Sequence, residues 1–198
     1  MLVRTVPAGL TAMQALDREA DVEKRYGGRF VQAIEGVEGD LADRRDWFFF
    51  VNGIEADRSA TEYRLRDGEI LWWDYRSWRG RMRQGVVVGA FPEPFRHGYD
   101  GKTHPVAVRY APGLARGARA IGRMLRATTV APTSVRAPEG ANVFLLEHHE
   151  ASEPERFRAE LRDESSEAGS PVRFVFAGDP LRLAREPGRF RYRYEVPE

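Results

Sequence analysis

The period of apolar and polar positions changes several times along this chain, and each change predicts an element. Leu2 to Val6 is a short β-like run that Pro7 ends. Thr11 with Gln14 three residues on has the form of a capping box. Met13, Leu16 and Ala20 then fall at helical spacing, which predicts a helix over about 12–25 stopped by Gly27-Gly28. Phe30, Ala33 and Ile34 mark a strand over 30–34. Trp47 to Val51 reads as an aromatic strand closed by Asn52-Gly53. After an irregular stretch holding Tyr63 and Leu65, Asp67-Gly68 opens a second aromatic strand over 69–76. Strand, helix, strand, strand, link and strand is the order of a β-grasp (ubiquitin-like) unit lacking its first strand. The abrupt start inside a β-like run, with no signal peptide, predicts a leader and a first strand upstream.

Beyond residue 79 the texture changes. Residues 80–85 are polar and glycine-bounded and read as a linker. Val86 to Val88 predicts a short strand, and Phe91-Pro92-Glu93-Pro94-Phe95 a rigid loop. Val106 to Tyr110 alternates as a strand does. Leu114, Ala118, Ile121 and Leu125 predict a helix over about 112–126. Strands are expected at Asn142 to Glu147, Val172 to Ala177 and Arg189 to Val196, and a charged helix at Pro154 to Arg162. The expected fold class is α+β: a β-grasp domain over 1–79, the linker 80–85, and a small mixed α/β domain over 86–198.

Three stretches together carry a resemblance: Tyr26-Gly27-Gly28-Arg29-Phe30-Val31-Gln32-Ala33-Ile34-Glu35-Gly36 behind the Thr-capped helix, Trp47-Phe48-Phe49-Phe50-Val51-Asn52-Gly53, and Tyr63-Arg64-Leu65-Arg66-Asp67-Gly68-Glu69-Ile70-Leu71-Trp72. Over residues 3–78 the chain resembles the transcobalamin-like C-terminal domain family, with Glu69 where Asp is usual. The resemblance implies a β-grasp fold and a secreted or cell-surface location. It also implies a domain of the kind that, in the animal cobalamin carriers, closes over one face of the corrinoid.

Composition narrows the chemistry. Of 198 residues, 42% are hydrophobic and 31% charged, ordinary values for a globular protein, and the net charge of +1 offers no argument for nucleic acid. The absence of cysteine removes disulfides, thiolate nucleophiles and cysteine-ligated metals. No run is long and apolar enough to span a bilayer. Neither a nucleotide-binding glycine pattern nor a nucleophile elbow is present. His97 and His104 flank a turn-rich loop and could meet, whereas His148 and His149 are adjacent in a strand and point apart.

All four tryptophans fall within residues 47–78. Strand alternation sets Trp47, Phe49 and Val51 against Phe48, Phe50 and Asn52, and Trp72, Asp74, Arg76 and Trp78 against Leu71, Trp73 and Tyr75. One face must cover the helix; the other is open to a ligand or to the second domain. The expected function is therefore a non-catalytic binding module without cofactor or metal, holding a small flat or cyclic molecule such as a corrinoid. Trp47, Phe49, Trp72, Trp73, Tyr75 and Trp78 would stack on it, Asn52, Asp74 and Arg76 would orient its polar groups, and Phe91 and Phe95 would form a recognition edge or lid. A free β-grasp edge strand that pairs with a protein partner is the alternative. A glycan hydrolase using paired carboxylates among Asp46, Asp57, Glu62 and Asp74 is the third reading.

Overall fold

The computed structural model describes residues 4–80, 88–148, 158–163 and 167–188. The capping box forms: Gln14 N–H donates to Thr11 Oγ1 at 3.1 Å, and Thr11 N–H donates to Gln14 Oε1 at 2.9 Å. Helix α1 (Ala12–Glu19) ends well before residue 25. Val22–Arg25 is instead strand β1, antiparallel to β2 (Phe30–Ile34). The reversal between them comes from Tyr26, Gly27 and Gly28, all at positive φ. Glu35 N–H donating to Asp21 O closes the base of that hairpin, so tertiary pairing overrides the helical spacing. The strand expected at 2–6 is not formed by residues 4–7, which are irregular, and Leu2 and Val3 lie outside the described residues. Residues 9–12 run along 63–65 instead, through Gly9 N–H to Leu65 O, Leu65 N–H to Leu10 O and Ala12 N–H to Tyr63 O.

Strand β3 (Val37–Glu38) joins β2, completing one three-stranded sheet. The second is ordered β5-β4-β6, from β4 (Arg45–Val51), β5 (Ile54–Glu55) and β6 (Leu71–Ser77). Asn52 and Gly53 join β4 to β5 with φ of 52° and 79°, the double positive φ of a type I′ hairpin that Asn-Gly favours.

The C-terminal unit is a five-stranded sheet ordered β10-β11-β9-β7-β8. Its elements are β7 (Val106–Tyr110), α2 (Ala115–Leu125), β8 (Thr129–Pro132), β9 (Asn142–Glu147), β10 (Arg158–Asp163), β11 (Val172–Ala177) and α3 (Pro180–Arg185). Strands β8, β7, β9 and β11 are parallel, and β10 is antiparallel to β11. Because β8 and β9 flank β7, the chain between them must cross β7. Buried Arg109 of β7 holds that crossing, donating to Val135 O at 2.8 Å and Arg136 O at 3.0 Å. The helix expected at 154–162 is overturned over its described part, since residues 158–163 are β10 and their Arg-Ala-Glu-Leu-Arg-Asp alternation has period two, not 3.6. Val88–Ala90 is a 3-10 turn rather than the end of a strand. Residues 81–87, most of the expected linker and strand there, and the expected strand at 189–196 lie outside the described residues. Helix α3 was not anticipated, although Asp179 caps it and Pro180 opens it. The fold is α+β, a β-grasp-like unit followed by a small α/β unit.

The buried apolar residues of both units form one connected cluster. The chain at Gly98–Lys102 joins them: a turn closed by Tyr99 N–H to Lys102 O and Lys102 N–H to Tyr99 O places Tyr99 against Tyr63, ring centroids 5.5 Å apart. A Cβ on Gly98 would lie 1.9 Å from Lys102 O, so the turn excludes any larger residue there. Asn52, fully buried, donates from Nδ2 to Gly98 O at 2.8 Å and accepts Ile70 N–H on Oδ1 at 2.9 Å. Tyr99 OH donates to Asp57 Oδ1 at 2.8 Å, and Arg66 and Arg58 both reach the Asp100 carboxylate.

Replacing Asn52 by Ala strands a buried carbonyl and a partly buried N–H at the junction. It should cost about 2–4 kcal/mol in urea unfolding, with an unchanged slope. The Arg58 guanidinium holds Asp57, and Arg66 holds Asp100, below the ordinary carboxylate value of 3.8. Their stabilisation is therefore complete above that value and is lost as pH falls through the lowered folded values. Melting temperature should fall more steeply below pH 4 in the wild type than in an Asp57→Asn/Asp100→Asn double variant.

Candidate functional site

The β4–β6 register fixes which aromatic side chains meet. Trp47 lies opposite Tyr75, Phe49 opposite Trp73, and Val51 opposite Leu71. Their rings form a two-rung ladder, with centroids 5.3 Å apart for Trp47–Tyr75 and 5.1 Å for Phe49–Trp73. Trp47, Phe49 and Trp73 pack partly against the core, and all four rings are half-buried. The polar atoms at one end are tied to β3: Trp47 Nε1 donates to Val37 O at 2.8 Å and Tyr75 OH to Glu38 O at 3.0 Å. This leaves the outer rung with apolar ring surface, beside a Val37 that is 44% exposed. The indole N–H of Trp73 is buried and has no acceptor among the described residues.

The other face carries Trp72, Asp74 and Arg76 from β6 with Phe50, Phe48 and Asp46 from β4. Arg76, only 3% exposed, lies 3.8 Å over the Phe48 ring and pairs with Glu55 at 3.3 Å. Burial pushes the Asp46 carboxyl up, against the N–H of Trp47 that stabilises its anion. The expected platform is thus two surfaces. Trp47, Phe49, Trp73 and Tyr75 are brought together, while Trp72, Asp74 and Arg76 lie back to back with them. Trp78 sits half-buried beyond the end of β6, with the Arg44 guanidinium 5.8 Å from its ring centre.

Three expected ligand residues are internal. Asn52 is the junction bridge described above. Phe91 and Phe95 are core, not a lid: Phe91 stacks on Phe174 at 4.8 Å, and Phe95 meets Phe144 and Phe174 edge-on at 6.3 and 6.1 Å. The prolines beside them suggested a projecting loop, but the apolar faces of β9 and β11 bury both rings. Sequence reasoning missed the Val37 and Glu38 carbonyls, because main-chain acceptors leave no residue signature. It also missed that Glu69 is buried to accept Tyr63 OH and Arg66 N–H, which draws the start of β6 onto the junction.

A family model described as Domain of unknown function (DUF4430) matches residues 9–77, from just before α1 to the end of β6. No curated protein and no solved structure matches the chain. No helix among the described residues is long and apolar enough to cross a membrane.

With Phe91 at the centre of the aromatic core, Phe91→Ala should destabilise the chain by about 3–5 kcal/mol. The tryptophan emission of the folded variant should stay as in the wild type, since the ladder lies in the other unit.

Proposed function

We propose that this protein is a non-catalytic binding module whose ligand, a small molecule with a flat or cyclic apolar face, lies against the Trp47–Tyr75 and Phe49–Trp73 ladder. The observation that carries this reading is the pairing of half-buried rings whose polar atoms at one end already bond to β3, so that the contact they offer is dispersion and stacking. The resemblance of residues 3–78 to the transcobalamin-like family, over the stretch where the unknown-function family model matches 9–77, makes a corrinoid or another macrocycle the first chemistry to try. A secreted or surface-anchored location belongs to the same proposal. Asp57 and Asp46 are separately engaged, by Arg58 and Tyr99 and by the Trp47 N–H, and nothing in that arrangement favours hydrolysis.

Because every tryptophan lies in this unit, intrinsic fluorescence titration reads the ladder directly, with calorimetry to exclude absorption artefacts. A member of a panel of corrinoids, porphyrins and cyclic glycans should bind, and Trp47→Ala should weaken it about tenfold or more. Asp74→Asn, on the opposite face, should leave affinity unchanged. A panel in which no compound binds, or in which Asp74→Asn weakens binding as much as Trp47→Ala, rejects the reading.

A further inference from the structure

A second surface lies in the C-terminal unit, where a cleft of about 380 Å³ opens between the Phe95–Val106 segment and the C-terminal end of α2. Its floor is Phe95, Val106 and Leu125, and its polar lining is Arg96, His97, Thr103, His104, Arg126 and Thr128. No carboxylate lines it. Among the described residues neither Arg96 nor Arg126 is ion-paired. The acidic groups nearest in sequence are already engaged, Asp100 by Arg58 and Arg66 away from the cleft, and Glu93 by His97 behind its wall.

Both imidazoles are held by one ring nitrogen. Glu93, with its side chain 3% exposed, accepts His97 N–H at 2.8 Å and lies 2.7 Å from His97 Nδ1, which fixes the ring. The Nε2 edge approaches Gly68 of the first unit, where an added Cβ would lie 3.5 Å from it. His104 Nε2 bonds to Gly169 O at 2.6 Å. Arg126 adds an independent observation. It caps α2 at φ 56°, the left-handed conformation that glycine supplies at such caps without steric cost. An arginine here places an unpaired cation beside the cleft in spite of that strain.

We infer that this cleft binds a small anion, a phosphate- or carboxylate-bearing molecule held by the Arg96 and Arg126 forks. The site is separate from the aromatic ladder, and it stands or falls independently of the ligand proposed there.

The test is calorimetry or chemical-shift titration of the full chain with inorganic pyrophosphate and with citrate, at constant ionic strength. At least one should bind the wild type, and Arg96→Gln and Arg126→Gln should each weaken it about tenfold or more. Arg116→Gln, an exposed arginine on α2 outside the cleft, should not. Arg126→Gly separates function from folding: it relieves the backbone strain, so its melting temperature should rise while anion affinity falls. Absence of binding for both anions overturns the inference. So does binding that Arg116→Gln weakens as much as Arg126→Gln, or that Arg126→Gly leaves intact.

Discussion

The structure depends on how the Gly98–Lys102 turn seats against the first unit. Asn52 is the pivot: its backbone makes the hairpin that ends β4, and its side chain bonds at once to the start of β6 and to the Gly98 carbonyl. A buried amide satisfied on both its oxygen and its nitrogen demands a defined geometry, because either partner lost would be left desolvated. Tyr99 then fills the space against Tyr63, and its hydroxyl and the Asp100 carboxylate end among Asp57, Arg58 and Arg66. The Tyr63–Tyr99 contact links the apolar cores across this junction, and the ion pairs at its rim, being partly exposed, add register more than energy.

That seating determines which surfaces remain for binding. The β4–β6 hydrogen-bond register places Phe49 beside Trp73 and Trp47 beside Tyr75, and β3 ties down the outer rung. The opposite face is taken up by Arg76, Phe48 and Glu55. The same turn orients the segment bearing Arg96 and His97, because Gly98 follows them directly and tolerates no side chain. Two candidate surfaces of opposite character, one apolar and one cationic, are thus positioned from one junction.

Much of this was legible in the residues, and the failures have physical causes. Thr11 and Gln14 announced the start of α1 because capping is local chemistry, and Asn52-Gly53 announced the hairpin because few other pairs accept two positive φ values. Alternation in β4 and β6 predicts two aromatic faces, and the residues expected to hold a ligand fall on both. The end of α1 was misplaced because Val22 to Arg25 owes its strand to pairing with β2, a contact made across a turn. Pro154 and the charges suggest a helix over residues 158–163, yet these residues pair antiparallel with β11, the next strand along the chain. Phe91 and Phe95 looked exposed between prolines, and only the tertiary stacking with Phe144 and Phe174 shows them to be core.

The junction makes one cooperative structure of two units that differ in fold. Native-state amide hydrogen exchange, followed residue by residue under rising denaturant, tests it most directly. The slowest amides of β4 in the first unit and of β9 in the second should share one global opening free energy and one denaturant dependence. Two distinct opening free energies, with one unit exchanging while the other stays protected, would contradict it.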